Sequence, residues 1–481
     1  MKVLHVSAEC YPAAKSGGLG DVAGALPKYL CQSGVDTNVI MPKYNLKWLN
    51  NQEYQIIYKS SVHLGVYPID FTVEVCANKT LGFTLLVVNC PSFFSKGNVY
   101  VDDYGNGFPD EVQRWLTFQR AVLQFVMALK EDDRPKILHC HDHHAGLIPF
   151  MVQNCNQFDS IKNIPTVFTI HNGLYQGIFS WGKKHFIPEC RWGSLNLLDW
   201  NGQINPMASA LKCAWRVTTV STGYLHELRT NFNGLQNLLK EEWHKSFGIL
   251  NGIDNKVWNP STDDMLQTKL NGDTEAYKAA NKKYLTDLFA IRNDVPLFVF
   301  IGRLVPEKGA ELIPQLIGRV LSQGAAASFV VLGTGEKHIE DDFKNVAHYF
   351  KNNVGAAITY NEALSHQIYA GADFILMPSR VEPCGLNQMY SMRYGTIPIV
   401  RKTGGLSDTV TDFASPQGGT GINFLHFDIN DAELAFNRAS QLYWDFPERF
   451  KSLRQYIMQV DHSWENSTSL YIQLYRQIAN V

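Results

Sequence analysis

Short apolar runs alternate with amphipathic stretches along almost the whole chain, and no other feature limits its fold as strongly. Residues 3–7 form the first run, a glycine-rich loop follows, and apolar residues at helical spacing mark a helix over 21–31. Residues 37–41 are a second run. An amphipathic stretch at 111–130 then leads into K-I-L-H-C, a helical segment at 145–154, T-V-F-T-I, a helical segment at 206–214 and V-T-T-V. Strands that are apolar on both faces and separated by helices build a parallel sheet covered on both sides. The pattern restarts after Pro296 with L-F-V-F-I-G, S-F-V-V-L-G, A-A-I-T-Y, D-F-I-L-M-P and I-P-I-V, again with helical segments between them. A chain of 481 residues exceeds what one core organises, so two doubly wound α/β domains are expected.

The boundaries follow from the same pattern. The first domain is expected over 1–245, with a β-rich insertion at about 54–90. The second is expected over 246–460, and an amphipathic helix within 461–481 is expected to cross back to the first. Facing doubly wound domains enclose a deep cleft, and ligands bind beyond the carboxyl ends of the strands.

Composition narrows the class. With 45% hydrophobic and 18% charged residues the chain is globular, and a formal net charge of −2 argues against a general nucleic-acid binder. The opening M-K-V-L-H-V-S-A-E reads as neither signal peptide nor membrane span, and no later run is long enough to cross a bilayer. Nine dispersed cysteines without a C-x-x-C pair suit free thiols, and a cytoplasmic location is expected.

Five segments after apolar runs carry chemistry. Lys15-Ser16-Gly17-Gly18-Leu19-Gly20-Asp21 joins a cation to glycines at a helix start, where backbone N–H groups can meet an anion. It also reads as a strand-to-helix turn with Asp21 near the cap. Gly18, Gly20 and Gly24 nearly fit a dinucleotide fingerprint, but they come too long after the strand, and Asp36 precedes the second strand instead of ending it. His139 to His144 invites a metal. Alternating strand residues point to opposite faces and no neighbouring pair completes a tetrahedral set, so no metal is expected. Hydrogen bonding by Asp142 or a neighbouring histidine to a polyol, and satisfied partly buried histidines, are the readings left open. His171, directly after a strand, is an even choice between site and loop. Arg303 and Lys308, five residues apart around a turn, can converge on one diphosphate; a charge pair at about 4 Å is worth ~4 kcal/mol at an effective dielectric of 20. Finally, P-S-R-V-E-P-C-G-L-N-Q-M-Y sets Glu382 beside a helix start, with Pro383 stiffening the turn and Gly385 freeing backbone N–H groups. A carboxylate there can bind sugar hydroxyls or stabilise positive charge at an anomeric carbon.

These segments together resemble the bacterial glycogen synthases and plant starch synthases. The resemblance is carried by K-S-G-G-L-G-D-V, H-D-H-H-A-G-L, F-T-I-H-N-G-L-Y-Q-G, G-I-L-N-G-I-D-N-K-V-W-N-P, G-R-L-V-P-E-K-G and the long run from Y-A-G-A-D-F-I-L-M-P to R-K-T-G-G-L. It implies the GT-B fold, two Rossmann-like domains facing across a cleft. It further implies retaining transfer of glucose from ADP-glucose to the non-reducing end of an α-1,4-glucan. No metal or bound cofactor, nucleic acid or membrane partner is implied. By motif, Lys15 and Gly18 contact the donor, and Arg303 and Lys308 hold its diphosphate. Glu382, Cys384, Gly385 and Leu386 frame the glucose and phosphate. His171 and Asp142 face the reacting sugar, Asp21 lies near the cleft, and Asn251 comes from the hinge-side motif. Ser16, the triplet Ser221-Thr222-Gly223 and the triplet Ala357-Ile358-Thr359 depart from the family pattern. UDP-glucose as donor, or a small acceptor, stays an alternative. Rivals from other classes are a glucan-binding protein without turnover, against which Arg303, Lys308 and Glu382 argue, and a nicotinamide oxidoreductase, which lacks its fingerprint.

K-T-G-G-L recurs at 402–406, nearly repeating K-S-G-G-L. The first copy is expected to reach the donor, the second to start a helix behind the Glu382 loop.

Overall fold

The computed structural model describes residues 1–479 apart from 97, 103 and 417. They divide into two compact units, one of 1–220, 225–251 and 464 onward, the other of 221–224 and 252–463.

The strands of the first unit are β1 (Lys2–Val6), β2 (Asp36–Pro42), β3 (Tyr54–Leu64), β4 (Tyr67–Cys76), β5 (Thr84–Asn89), β6 (Ile137–His141), β7 (Thr166–Ile170), the short β8 (Asp199–Trp200) and β9 (Gln203–Ile204), β10 (Arg216–Thr219) and β11 (Ser246–Gly248). Nine of them form one sheet in the order β11-β10-β7-β6-β1-β2-β5-β4-β3, while β8 and β9 pair separately. From β11 to β5 every pairing is parallel; β4 and β3 add antiparallel at the edge. The segment expected as an insertion at 54–90 is therefore part of the main sheet. Its β5 pairs with β2, and the β3–β4 hairpin extends the same ladder. Likewise β11, expected to open the second domain, pairs with β10 as an edge strand of the first sheet.

The central strands are buried on both faces, as apolar runs without alternation require: β6 and β7 are covered along their whole length. The helix Gly18–Gln32 covers one face with Val22, Leu26, Tyr29 and Leu30. The last helix, Trp464–Ala479, lies in this unit. Its Trp464, Tyr471, Leu474, Tyr475 and Ile478 share a core with Val3, Ile137 and Val167. Burying such side chains stabilises by ~1.5–3 kcal/mol each, enough to hold a helix distant in sequence against the sheet.

The second unit carries β12 (Leu297–Ile301), β13 (Ser328–Leu332), β14 (Val354–Ala357), β15 (Phe374–Met377), β16 (Ile397–Arg401) and β17 (Ile422–Phe424) in one parallel sheet, ordered β14-β13-β12-β15-β16-β17. The order reverses between β12 and β15, where ligands of doubly wound sheets bind. Arg303 and Lys308 follow β12, and Glu382 follows β15. The start of β15 is pinned by buried Asp373, whose carboxylate takes Lys282 Nζ and Arg454 Nη2 at 2.7 Å each and the Leu297 N–H at 2.9 Å. Burial alone would raise this carboxyl, but the two cations outweigh it and hold it below its ordinary range.

Candidate active site

In the second unit the chain leaves β15 through Pro378 and Ser379 and brings Glu382 inward, 5% exposed. Both carboxylate oxygens accept from Lys308 Nζ at 2.7 Å, and Ser379 Oγ donates to one of them at 2.8 Å. Lys308 ends the tight turn Pro306–Lys308, and Gly309 follows at φ +65°, where a Cβ would overlap the Pro378 carbonyl. Glycine thus lets the two strand-end loops close on each other. Arg303 is more exposed and pairs with Glu307 at 3.3 Å. The two cations expected to converge thus each have a carboxylate of their own here. Arg401 braces the Glu382 loop from β16, its guanidinium donating to the Ser379 and Arg380 carbonyls at 2.7 and 2.6 Å.

Cys384 is buried, Gly385 turns the chain at φ +73°, and Leu386 caps the helix Asn387–Arg393. Behind them stands the second glycine loop. Gly405 N–H donates to the Glu382 carbonyl at 3.0 Å, and a Cβ on Gly404 or Gly405 would overlap the Glu382 or Cys384 carbonyl. The copy at 402–406 is therefore the backing of the Glu382 loop.

In the first unit Asp142 follows β6, with φ +54° and ψ −177°. An ordinary residue held there costs ~1–3 kcal/mol, and such strain concentrates at functional sites. Its Oδ1 accepts from the His171 amide at 2.7 Å and the Asn172 amide at 3.4 Å, tying the end of β6 to the end of β7. Burial pushes the Asp142 carboxyl up to about 7, against the pull of those amides.

The first glycine loop is organised by a residue that the sequence did not single out. Buried Glu9 accepts the Ser16 amide at 2.5 Å, the Gly17 amide at 3.0 Å and the Tyr100 hydroxyl at 2.5 Å. The expected anion grip is thus partly filled by the chain's own carboxylate. Lys15 lies 2.7 Å from Asp21, and nothing stands within 4 Å of where a Cβ on Gly18 would project. A carboxylate three residues beyond a buried strand, just ahead of the glycine loop, was the available signal for Glu9.

The histidines are buried and hydrogen-bonded to one another, with a partner from β1 that the spacing argument did not include. Alternation separates His139 from Cys140 but returns His141 to the face of His139, and the two rings stack at 4.3 Å. His5, from β1 alongside, completes a trio whose nitrogens lie within 4.8 Å of one another. Each ring is hydrogen-bonded: His5 Nδ1 to His141 Nε2 at 3.0 Å, His141 Nδ1 to His171 Nε2 at 2.9 Å, and His139 to the Tyr475 and Thr169 hydroxyls at 2.7 and 2.6 Å.

The chain was compared with known proteins. Residues 2–241 match the starch synthase catalytic domain, and 287–452 match the glycosyl transferases of group 1. A glycogen synthase of Flavobacterium johnsoniae is 44% identical over 99% of both chains. The chain belongs to the glycogen synthase family. It is a glycosyltransferase of the GT-B fold: the catalytic domain of starch synthase IV from Arabidopsis thaliana, solved bound to ADP and acarbose, superimposes with a TM-score of 0.88. That domain is 32% identical, with 100% of this chain and 99% of that one covered. The fold is shared by a sucrose-phosphate synthase from Thermosynechococcus elongatus at a TM-score of 0.62 and 16% identity, over 99% of this chain and 98% of the other.

Two further features complete the glycosyltransferase's candidate site residues. Asn251 is buried, its amide donates to the Val220 carbonyl at 3.3 Å, and its Oδ1 has no partner among the described residues. Beside His143 a hollow of about 400 Å³ is lined by Trp115, Gln119, Tyr175, Gln176 and Ile178, apolar faces alternating with amide groups. No helix among the described residues is long and apolar enough to cross a membrane.

Proposed function

We propose that the protein transfers glucose, with retention, from ADP-glucose to the non-reducing end of an α-1,4-glucan such as glycogen, releasing ADP. The observation that carries this reading is the full-length likeness to a starch synthase solved with ADP and acarbose, joined to the Lys308–Glu382 pair at the switch point of the second sheet. In this reading the second unit holds the nucleotide sugar. Arg303 and Lys308, which now pair with Glu307 and Glu382, take up the negative charge of the departing diphosphate, and a cation held beside a developing charge lowers the barrier to its departure. Glu382, fixed by Lys308 and Ser379, faces the positive charge growing at the anomeric carbon. Cys384, Gly385 and Leu386 shape the sugar pocket, while Lys15, Gly18, Asp21 and Asn251 contribute to donor binding. The first unit presents His171 and Asp142 to the sugar hydroxyls, and its hollow at Trp115 and Tyr175 suits the apolar face and hydroxyls of a glucan. Glu382, hydrogen-bonded among the described residues to Lys308 and Ser379, acts in this reading as binder and electrostatic stabiliser, with same-face attack assisted by the leaving group and no covalent glucosyl intermediate. The proposed reaction needs neither a metal nor a resident cofactor.

The test is glycogen with ADP-glucose or UDP-glucose, following nucleotide release and chain extension together. ADP-glucose is expected to be turned over faster, and equal or faster use of UDP-glucose overturns the donor assignment. Removing Lys308 or Glu382 by alanine substitution is expected to lower turnover by about 10²–10³. Near-normal turnover in both variants defeats the site assignment.

A further inference from the structure

We infer that His5, His141 and Tyr475 are positioning residues that tie the tautomer of His171 to one shared by a whole buried hydrogen-bond series. This rests on the proposed role of His171 at the sugar.

The series starts on the last helix and ends at the carboxyl end of β7. Thr169 Oγ1 meets His139 Nε2 at 2.6 Å, and His139 Nδ1 meets Tyr475 Oη at 2.7 Å. Tyr475 Oη lies 3.5 Å from His5 Nε2, the longest link. His5 Nδ1 then meets His141 Nε2 at 3.0 Å, and His141 Nδ1 meets His171 Nε2 at 2.9 Å. His5, His139, His141, Thr169 and Tyr475 are all 0% exposed, so water cannot substitute for any link.

A neutral imidazole has one N–H and one lone pair, so each ring must donate on one side and accept on the other. Only two arrangements then satisfy every link and leave no buried hydrogen without an acceptor, because a Tyr475 oxygen accepting from both rings would strand its own O–H. In the first, Tyr475 donates to His139 and accepts from His5 Nε2–H; His141 donates to His5, His171 donates to His141, and His171 Nδ1 is left as an acceptor. In the second, every bond reverses and His171 Nδ1 carries the hydrogen. A mixed state would set two lone pairs or two N–H groups face to face in a dry interior, which costs more than either uniform state. Burial supports the neutral forms: it lowers His5 and His171 to about 3 and keeps His139 and His141 well below the ordinary histidine range.

His171 Nδ1 has no partner among the described residues, and His171, 7% exposed, is the one histidine of the series with any exposure. It is the terminus at which the state of the series meets a ligand. A sugar hydroxyl bound there meets either a committed donor or a committed acceptor. The alternative use of the trio, a metal held by His5, His139 and His141, would take one nitrogen of each ring out of its hydrogen bond and includes no carboxylate or thiolate.

The experiment is nitrogen NMR of the full chain labelled with ¹⁵N in its histidine rings, His171 being assigned by the loss of its signals in His171→Gln. Wild type is expected to show His5, His139, His141 and His171 in one shared neutral tautomer. His5→Phe keeps the ring volume and removes both nitrogens. It is expected to give mixed tautomers at His171 and to lower kcat by about tenfold to a hundredfold, with little change in donor KM. His5→Asn, whose amide can renew the bond to His141 Nε2, is expected to restore a single tautomer and most of kcat. Tyr475→Phe removes only a hydroxyl and serves if His5→Phe folds poorly. Unchanged His171 signals in both His5→Phe and Tyr475→Phe overturn the inference. So does a full equivalent of zinc in the purified protein whose removal alters the His5 and His141 signals. If wild type turns over no nucleotide sugar, the proposed function falls, while the His171 signals still decide the series.

Discussion

The two K-[ST]-G-G-L loops share almost all their letters and do different things. At 15–19 the loop stands off its surroundings: the Ser16 and Gly17 amides are taken by Glu9, Lys15 pairs with Asp21, and the space beside Gly18 is open. At 402–406 the glycines are pressed against the carbonyls of Glu382 and Cys384, and no side chain fits. A glycine that gives a ligand access and a glycine that gives another backbone access look alike in sequence. Their neighbours in space tell them apart.

The sharpest way to break this comparison is one substitution made in both loops. Gly405→Ala is expected to lower stability by about 1–3 kcal/mol through overpacking. It should also lower transfer as much as losing Glu382 does, about 10²–10³, because the loop carrying Glu382 must shift. Denaturant unfolding and the glycogen assay read both. A variant with normal turnover would mean that the second loop is not the backing of the site.

Next in size is Glu9→Ala, which leaves the Ser16 and Gly17 amides without their partner. A loss of about 1–3 kcal/mol is expected, with a raised donor KM if the loop needs Glu9 for its shape. Unfolding curves and initial rates measure it, and an unchanged KM would detach the first loop from donor binding.

Asp142→Asn tests the strained residue between the two loops in sequence. The folded carboxyl titrates near 7, against an ordinary value of about 4, so between these limits the folded state holds the proton more tightly than the unfolded state. The contribution is fully present below about pH 4 and is lost as pH rises towards 7. Buried His5 and His171, with lowered values, act in the opposite sense, destabilising as pH falls below their ordinary value. The melting temperature of wild type relative to Asp142→Asn is therefore expected to fall from pH 4.5 to 7.5, which calorimetry of the pair would register. A constant difference would place the Asp142 titration elsewhere.

The smallest effect belongs to Gly18→Ala. With nothing nearby to meet the added Cβ, stability should change by less than about 1 kcal/mol. Any kinetic effect should be confined to donor KM. A folding defect here would remove the distinction between the two loops.

The outline of the fold was legible because it depends on local pattern. Uninterrupted apolar runs separated by amphipathic stretches led to two parallel sheets, and the strand ends picked out Arg303, Lys308 and Glu382. The edge of the first sheet was not legible. The β3–β4 hairpin reads the same whether it stands alone or extends β5, and β11 is three residues long. The histidine series was equally hidden, because His5 and His141 lie on two strands, His171 directly follows a third, and Tyr475 is on the last helix. Neither helical nor strand spacing in one segment registers a bond between residues 470 positions apart.

The sequence by itself determined which residues sit at strand ends, because burial and backbone geometry translate directly into apolar period and glycine position. It also determined the family, through long motifs. Tertiary structure alone decided the partners: Glu9 for the first glycine loop, the carbonyls of the Glu382 loop for the second, and a chain of imidazoles behind His171. Partner choice depends on strand order and register, which bring distant side chains within 3 Å, and a linear pattern carries no term for that distance.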